Sequence, residues 1–205
     1  MKRLFLSSSF ADVFRLFPDF AKTELKGKKV TFIPTASIPE KMIFYVASGK
    51  KALEKLGMTV DVLDISKTAG KVITSKLQDN DCIYVTGGNT FFLLQEMKRT
   101  CTDKIIADQI HSGKIYIGES AGSAVLSPDI EYVKEMDDYK KAPELNDLSA
   151  LSIVNFYTVP HHSNFPFKKA VEKIIAQYGS KLKLVPISNS QVITVNGEQF
   201  EIRQK

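Results

Sequence analysis

Short β-branched apolar runs alternate with longer amphipathic stretches from one end of this chain to the other, and few architectures can bury such a pattern. The strand-like runs are Arg3–Ser7, Lys29–Pro34, Thr59–Asp64, Asp81–Thr86, Lys114–Gly118, Ile153–Val159 and Leu182–Pro186. Between them, apolar residues recur at helical spacing over Ile43–Leu56, Phe91–Thr100, Lys104–His111 and Phe167–Tyr178. The inner runs are apolar almost throughout, as expected of strands covered on both faces. Such alternation predicts an α/β fold with a doubly wound, largely parallel sheet. A closing hairpin is expected from Val192–Val195 and Gln199–Arg203, with Asn196-Gly197 between them as the turn signal. No repeat, low-complexity tract or linker interrupts the pattern, so the 205 residues are read as a single domain.

Composition narrows the function classes. At 43% hydrophobic and 25% charged residues, the chain belongs with ordinary globular proteins and not with disordered or fibrous ones. No apolar run approaches the roughly 18–20 residues of a membrane-spanning helix. The N-terminal apolar stretch stops at Ser7-Ser8-Ser9, with Asp12 and Arg15 close behind. It is too short for the core of a secretory signal, so a first buried strand and a cytoplasmic location are expected. Cys82 and Cys101 have neither zinc-site spacing nor a disulfide framework and read as two reduced thiols. The net charge of +5 raises nucleic acid as a partner. Its lysines are scattered as pairs (Lys28-Lys29, Lys50-Lys51, Lys140-Lys141, Lys168-Lys169), not gathered into a basic, aromatic-interleaved stripe, so no nucleic-acid partner is expected.

Chemistry concentrates at three places. Gly118-Glu119-Ser120-Ala121-Gly122 follows the buried run Lys-Ile-Tyr-Ile and precedes Ser123-Ala-Val-Leu, a helix start. A G-x-S-x-G pattern between strand and helix is the context of a nucleophile elbow, in which a sharp turn exposes the serine hydroxyl at the sheet edge. The flanking glycines permit strained angles and close backbone approach there. Val85-Thr86-Gly87-Gly88-Asn89-Thr90 is a second turn of the same kind, able to point a bare N–H at a developing oxyanion. It lacks the spacing and the lysine of nucleotide-binding loops. Third is Pro160-His161-His162-Ser163-Asn164 after a strand. His111, the one other histidine, lies near a helix end before Gly113, so a base for Ser120 must be His161 or His162. Two adjacent histidines without a nearby third ligand make a poor metal site, and neither metal nor organic cofactor is expected.

Taken together, the opening Leu-Phe-Leu-Ser-Ser-Ser run, Phe32-Ile-Pro-Thr-Ala, Gly87-Gly-Asn-Thr-Phe, Tyr116-Ile-Gly-Glu-Ser-Ala-Gly and the Pro160-His161 step resemble the peptidase E (aspartyl dipeptidase) and cyanophycinase family of serine peptidases, over nearly the whole chain. The resemblance implies a three-layer α/β/α fold similar to class I glutamine amidotransferases, with serine in place of their cysteine. It also implies a triad in the order serine, histidine, acid. Carried over by position, Ser120 is the nucleophile and His161 the general base. Gly88 and Ala121 supply the oxyanion N–H groups, and Asn89 lines the site. The third triad position departs from the family. Where an acid is implied, this chain has Ile187-Ser188-Asn189-Ser190-Gln191, with Asn189 the nearest equivalent. An acid from the Glu135–Asp138 stretch is the alternative.

That stretch belongs to a break in the rhythm. From Pro128 to Ala150 the chain carries seven acidic residues against three lysines, directly after the elbow. A long irregular insertion in such a place is expected to act as a lid or specificity loop. If it reaches the site, it favours a free α-amino group or a basic side chain over an acidic one. The expected activity is acyl transfer to water through Ser120, acting on dipeptides or short peptides. The alternatives are a small-ligand-binding relative with a degraded triad, and an esterase-like or amidotransferase-like use of the elbow. A small peptide is the expected partner, with no membrane partner, and a homodimer is the assembly left open.

Overall fold

The computed structural model describes residues 1–205. Its strands are β1 (Arg3–Ser7), β2 (Lys29–Ile33), β3 (Thr59–Val62), β4 (Cys82–Val85), β5 (Ile115–Glu119), β6 (Tyr157–Val159), β7 (Leu184–Pro186), β8 (Gln191–Asn196) and β9 (Gln199–Gln204). The helices are α1 (Phe10–Val13), α2 (Phe17–Ala21), α3 (Phe44–Lys55), α4 (Gly70–Asp79), α5 (Thr90–Arg99), α6 (Thr102–His111), α7 (Ala121–Ala124) and α8 (Lys168–Tyr178). Seven strands form one sheet in the order β3-β2-β4-β5-β1-β8-β9. β1 to β5 run parallel, and the β8–β9 hairpin adds to β1 antiparallel. The expected α/β architecture is therefore observed.

Period-two geometry divides the core between the two faces of this sheet. Leu4 and Leu6 of β1 enter one core, with residues of α4, α5, α6 and α8 such as Ile73, Phe91, Ile106 and Val171. Phe5 enters the other, with Leu53 of α3 and the phenylalanines of α1 and α2. That second face is aromatic. Phe5 meets Phe17 edge-on at 5.3 Å, Phe10 meets Tyr84 at 5.2 Å, and Phe32 stacks on Tyr84 at 4.9 Å. Burying rings of this size edge to face contributes on the order of 1 kcal/mol per pair beyond the area removed from water.

Two expected elements come out differently. Only the last three residues of the Ile153–Val159 run form a strand, and β6 pairs in parallel with β7 as a separate ribbon. The N–H groups of Ile153 and Val154 are instead spent on the Leu126 carbonyl, and that of Ser152 on Ser127, which ties the stretch to the loop after α7. The hairpin turn is displaced by one residue. Asn196 pairs with Gln199, so the two-residue loop is Gly197-Glu198 with Gly197 at φ 65°. Glycine first in a two-residue loop matches a II′ turn, which follows the sheet twist as well as the expected Asn-Gly turn would.

The acidic excursion from Pro128 to Ala150 is packed. Asp129 and Ser149 form a bridge, short 3₁₀ turns cover Glu131–Glu135 and Tyr139–Lys141, and Tyr132, Val133 and Ala142 are buried. No helix is long and apolar enough to cross a membrane.

Candidate active site

The carboxyl ends of β1, β4 and β5 lie side by side, and the chemistry collects there, as expected for an open parallel sheet. Ser120 follows directly on β5 and opens α7. It holds φ 48° and ψ −105°, an angle pair that β-carbon residues rarely occupy. Such a conformation persists only where the surroundings over-determine it, and here they do. The Ser120 N–H donates to the Ser7 carbonyl at 2.8 Å, and the Ser123 hydroxyl donates to the same oxygen at 2.9 Å. The elbow glycines are fixed by crowding. A β-carbon on Gly122 would overlap the Val85 carbonyl, and one on Gly118 would press on the Gly122 carbonyl.

Ser120 Oγ lies 2.9 Å from His161 Nε2, and His161 Nδ1 lies 2.8 Å from Asn189 Oδ1. With the amide oxygen facing it, Nδ1 carries the proton, so Nε2 accepts from the serine hydroxyl. His161 is itself held at φ 64°. Its N–H donates to Ser8 Oγ at 3.0 Å, while Ser8 Oγ–H donates to the Ile187 carbonyl at 3.0 Å. One face of the ring stacks on Phe167 at 4.7 Å. Burial lowers the His161 pKa, opposed by the Asn189 hydrogen bond. His162 is turned into the backbone ladder, its N–H donating to the Ile187 carbonyl. No acid of the Glu135–Asp138 stretch stands in for the amide. Glu135 pairs with Lys173, and Asp137 accepts from Thr90.

Of the residues expected at this site, Ser120, His161, Asn189 and Gly88 line one cleft of about 400 Å³, and Ala121 follows the serine as the first residue of α7. The first N–H groups of a helix have no partner within it, so the Ala121 N–H is free of the helix's own ladder. Asn89 is placed otherwise. Its Oδ1 caps α5 by accepting from the Phe92 N–H at 2.9 Å, and its Nδ2 donates to the Asp138 carbonyl at 3.0 Å. Both ends of its amide are committed to the scaffold, and it is absent from the cleft lining.

Gly88 is at φ 135°, and a β-carbon there would overlap the Ala36 carbonyl. Gly88→Ala is therefore expected to lower stability by about 3 kcal/mol or more, through backbone overlap and a forbidden φ together. Chemical denaturation of the purified variant measures this, and a loss below about 1 kcal/mol would show that the loop can shift.

Glu119 is a residue whose importance the sequence pattern leaves open, since the motif treats its position as any residue. It is buried, with Oε1 accepting from the Phe10 N–H at 2.9 Å and Oε2 from the Tyr84 hydroxyl at 2.9 Å. Glu119 thus ties the end of β5 to α1 and to β4. Burial outweighs these donors and pushes its pKa up to about 7. Between the ordinary carboxylate value and about 7, the folded protein holds a proton that the unfolded chain has released. Stability then falls as pH rises through that window, by up to roughly 3 kcal/mol. Asp137, pushed up to about 6 chiefly by burial, acts in the same direction. Melting temperature is expected to fall from pH 5 to pH 8, and to fall less in Glu119→Gln; equal slopes would remove Glu119 as the cause.

The sequence profile of peptidase family S51 matches residues 4–203. The uncharacterized peptidase Lin0382 of Listeria innocua is 55% identical over 199 residues, 97% of this chain and 95% of that one. The uncharacterized peptidase PM1590 of Pasteurella multocida is 53% identical over 203 residues, 99% of this chain and 98% of that one. Peptidase E of a Nostoc species is 28% identical over 171 residues, 80% of this chain and 66% of that one. Among solved structures, a Listeria monocytogenes EGD-e protein assigned to peptidase E superposes with a TM-score of 0.96 at 51% identity, covering 100% of this chain and 99% of the other. A peptidase from an acI-B1 actinobacterium shares the fold, with a TM-score of 0.73 at 19% identity and coverage of 100% and 88%. A profile match across nearly the whole length, with relatives of similar length sharing more than half their residues, places this chain in peptidase family S51, a family of serine-type peptidases.

Proposed function

We propose that this protein hydrolyses dipeptides or short peptides bearing a free N-terminus, through an acyl-enzyme on Ser120. The observation that carries the reading is the pair of contacts in line, Ser120 Oγ to His161 Nε2 at 2.9 Å and His161 Nδ1 to Asn189 Oδ1 at 2.8 Å, at one cleft. Ser120 Oγ attacks the scissile carbonyl carbon while His161 Nε2 takes its proton. The Nδ1–H remains on the Asn189 oxygen and keeps the ring in the required tautomer. The carbonyl oxygen, now negative, receives the N–H groups of Gly88 and Ala121. Collapse breaks the C–N bond, and the Nε2 proton goes to the departing amine. Water then enters and attacks the acyl carbon while losing a proton to His161; the C–Oγ bond breaks, His161 returns that proton to Ser120 Oγ, and the acid leaves. The chain acts as a single domain, with a homodimer left open, in a cytoplasmic setting consistent with two free thiols, Cys82 and Cys101.

The amide at position 189 favours a second reading, a small-ligand binder of the same fold with an unactivated serine. A fluorophosphonate probe separates the two, because only an activated serine reacts quickly. Stoichiometric labelling at Ser120, lost in His161→Gln, is the result expected of the peptidase. An unlabelled but folded protein would point to the binder.

A further inference from the structure

The wall of the cleft carries an unusual mixture of charge and apolar surface. Three carboxylates, Glu40, Glu119 and Asp137, face it against one lysine, Lys41, which is exposed at the rim. Glu119 is occupied by its two internal donors, and Glu40 is paired with Lys141 at 2.8 Å. Asp137 differs. Its Oδ2 takes both the N–H of Thr90, at 2.8 Å, and the Thr90 hydroxyl, at 2.5 Å, whereas Oδ1 has no partner in the protein. Asp137 lines the same cleft as Tyr45 and Ser120. A methyl placed on Gly87 would lie 3.2 Å from Ser120 Cβ and 3.6 Å from Tyr45 Cε2, so Gly87 is flanked by both.

Apolar side chains crowd the same opening. Met42, Phe44 and Phe165 line the cleft although they are 72%, 73% and 95% exposed. They come from two separate segments, one at the start of α3 and one after His161, and Met136 and Phe167 extend the surface. Exposed apolar surface gathered at one cavity mouth marks a place where an apolar group is bound. An acidic side chain entering here would meet Asp137 and lose its hydration, with Lys141 already paired to Glu40 and Lys41 exposed at the rim, where an ion pair is worth little.

We propose that this cleft selects peptides with an apolar or aromatic N-terminal residue, whose ammonium group is held by the free Oδ1 of Asp137 while its side chain lies against Met42, Phe44 and Phe165. The inference rests on the peptidase reading above and specifies its substrate class. It accounts for the carboxylate excess and the apolar rim together, since a free N-terminus supplies the cation and the side chain the apolar surface. Aspartate at that position is disfavoured by the same groups.

The test compares kcat/KM of the full-length enzyme for Phe-Gly, Leu-Gly, Lys-Gly, Asp-Gly and N-acetyl-Phe-Gly, with Ser120→Ala as control. Phe-Gly and Leu-Gly are expected to exceed Asp-Gly and Lys-Gly by tenfold or more, the scale of one good apolar contact. Acetylation should cost a similar factor. Asp137→Asn should raise KM for Phe-Gly about tenfold, with a smaller change in kcat. Phe165→Ser, at a position too exposed to govern folding, should narrow the ratio of Phe-Gly to Asp-Gly several-fold. Ser120-dependent cleavage that favours Asp-Gly or Lys-Gly would overturn the substrate assignment and leave the peptidase standing. An absence of Ser120-dependent cleavage across the whole panel would overturn the peptidase reading and this inference with it.

Discussion

Replacing Ser120 by alanine is expected to reduce peptide hydrolysis by at least three orders of magnitude while the fold persists. The side chain removed is a single hydroxyl, and its one partner is His161 Nε2. The elbow itself is anchored through the backbone, by the Ser120 N–H on the Ser7 carbonyl and by crowding of Gly118 and Gly122 against neighbouring carbonyls. Alanine preserves all of that, so melting temperature should move little while turnover disappears. His161→Gln is expected to cost nearly as much, and the double variant hardly more, because nucleophile and base act as one unit. Steady-state rates on the best dipeptide, with circular dichroism to confirm folding, check all three. Activity above about a tenth of wild type in Ser120→Ala would move the nucleophile elsewhere.

Asn189→Asp should change the rate in the opposite direction. The amide oxygen accepts from His161 Nδ1 at 2.8 Å and so fixes ring and tautomer, but it carries no net charge to balance the imidazolium that forms during attack. In chymotrypsin-type enzymes the reverse change, acid to amide, costs about 10⁴-fold, much of it from loss of the correct tautomer. Here the tautomer is already set, so only the charge contribution is to be gained. An increase in kcat/KM of about 10- to 100-fold is expected, well below that ceiling. The pH profile supplies an independent check. Burial holds the wild-type His161 below the usual histidine range, so it remains a neutral base into mildly acidic solution. A carboxylate beside Nδ1 raises that value, so the acid limb of the profile should move to higher pH as the plateau rises. A lower plateau, or an unmoved limb, would show that the amide is the partner this site requires.

The parts of this protein that were legible in its sequence are those written in local spacing. The alternation of β1 to β5 with intervening helices follows from runs of adjacent apolar residues, and the elbow from five consecutive positions. Glu119 stayed illegible although it lies inside that motif, because the groups that give it a purpose, Phe10 and Tyr84, come from two segments distant from it in the chain. Ser8 reads as one of three serines ending a strand, yet it positions His161 from 153 residues away. Asn89 was misplaced for the converse reason. A polar residue beside a glycine turn suggests substrate contact, but an asparagine just before a helix is also a preferred N-cap, and capping prevailed. The shortened β6 shows the same limit, since the competing acceptors on Leu126 and Ser127 lie outside any local window. The cleft's apolar rim joins Met42 and Phe44 to Phe165 across more than half the chain and has no sequence signature at all.

The place of β1 in the sheet governs when this protein can become active. β1 lies between β5 and β8, pairing Leu6 with Gly118 on one side and with Ile193 on the other, and it is made well before either neighbour. Its end also supplies the Ser7 carbonyl that pins the elbow and the Ser8 hydroxyl that holds His161. No fragment lacking the C-terminal hairpin can flank β1 with both neighbours, and Asn189 arrives just before that hairpin. Pairings between the two ends of a chain close the largest loops and form late. A chain made only as far as the elbow thus carries its serine without the geometry to use it, and that geometry is complete only once β8 has been made.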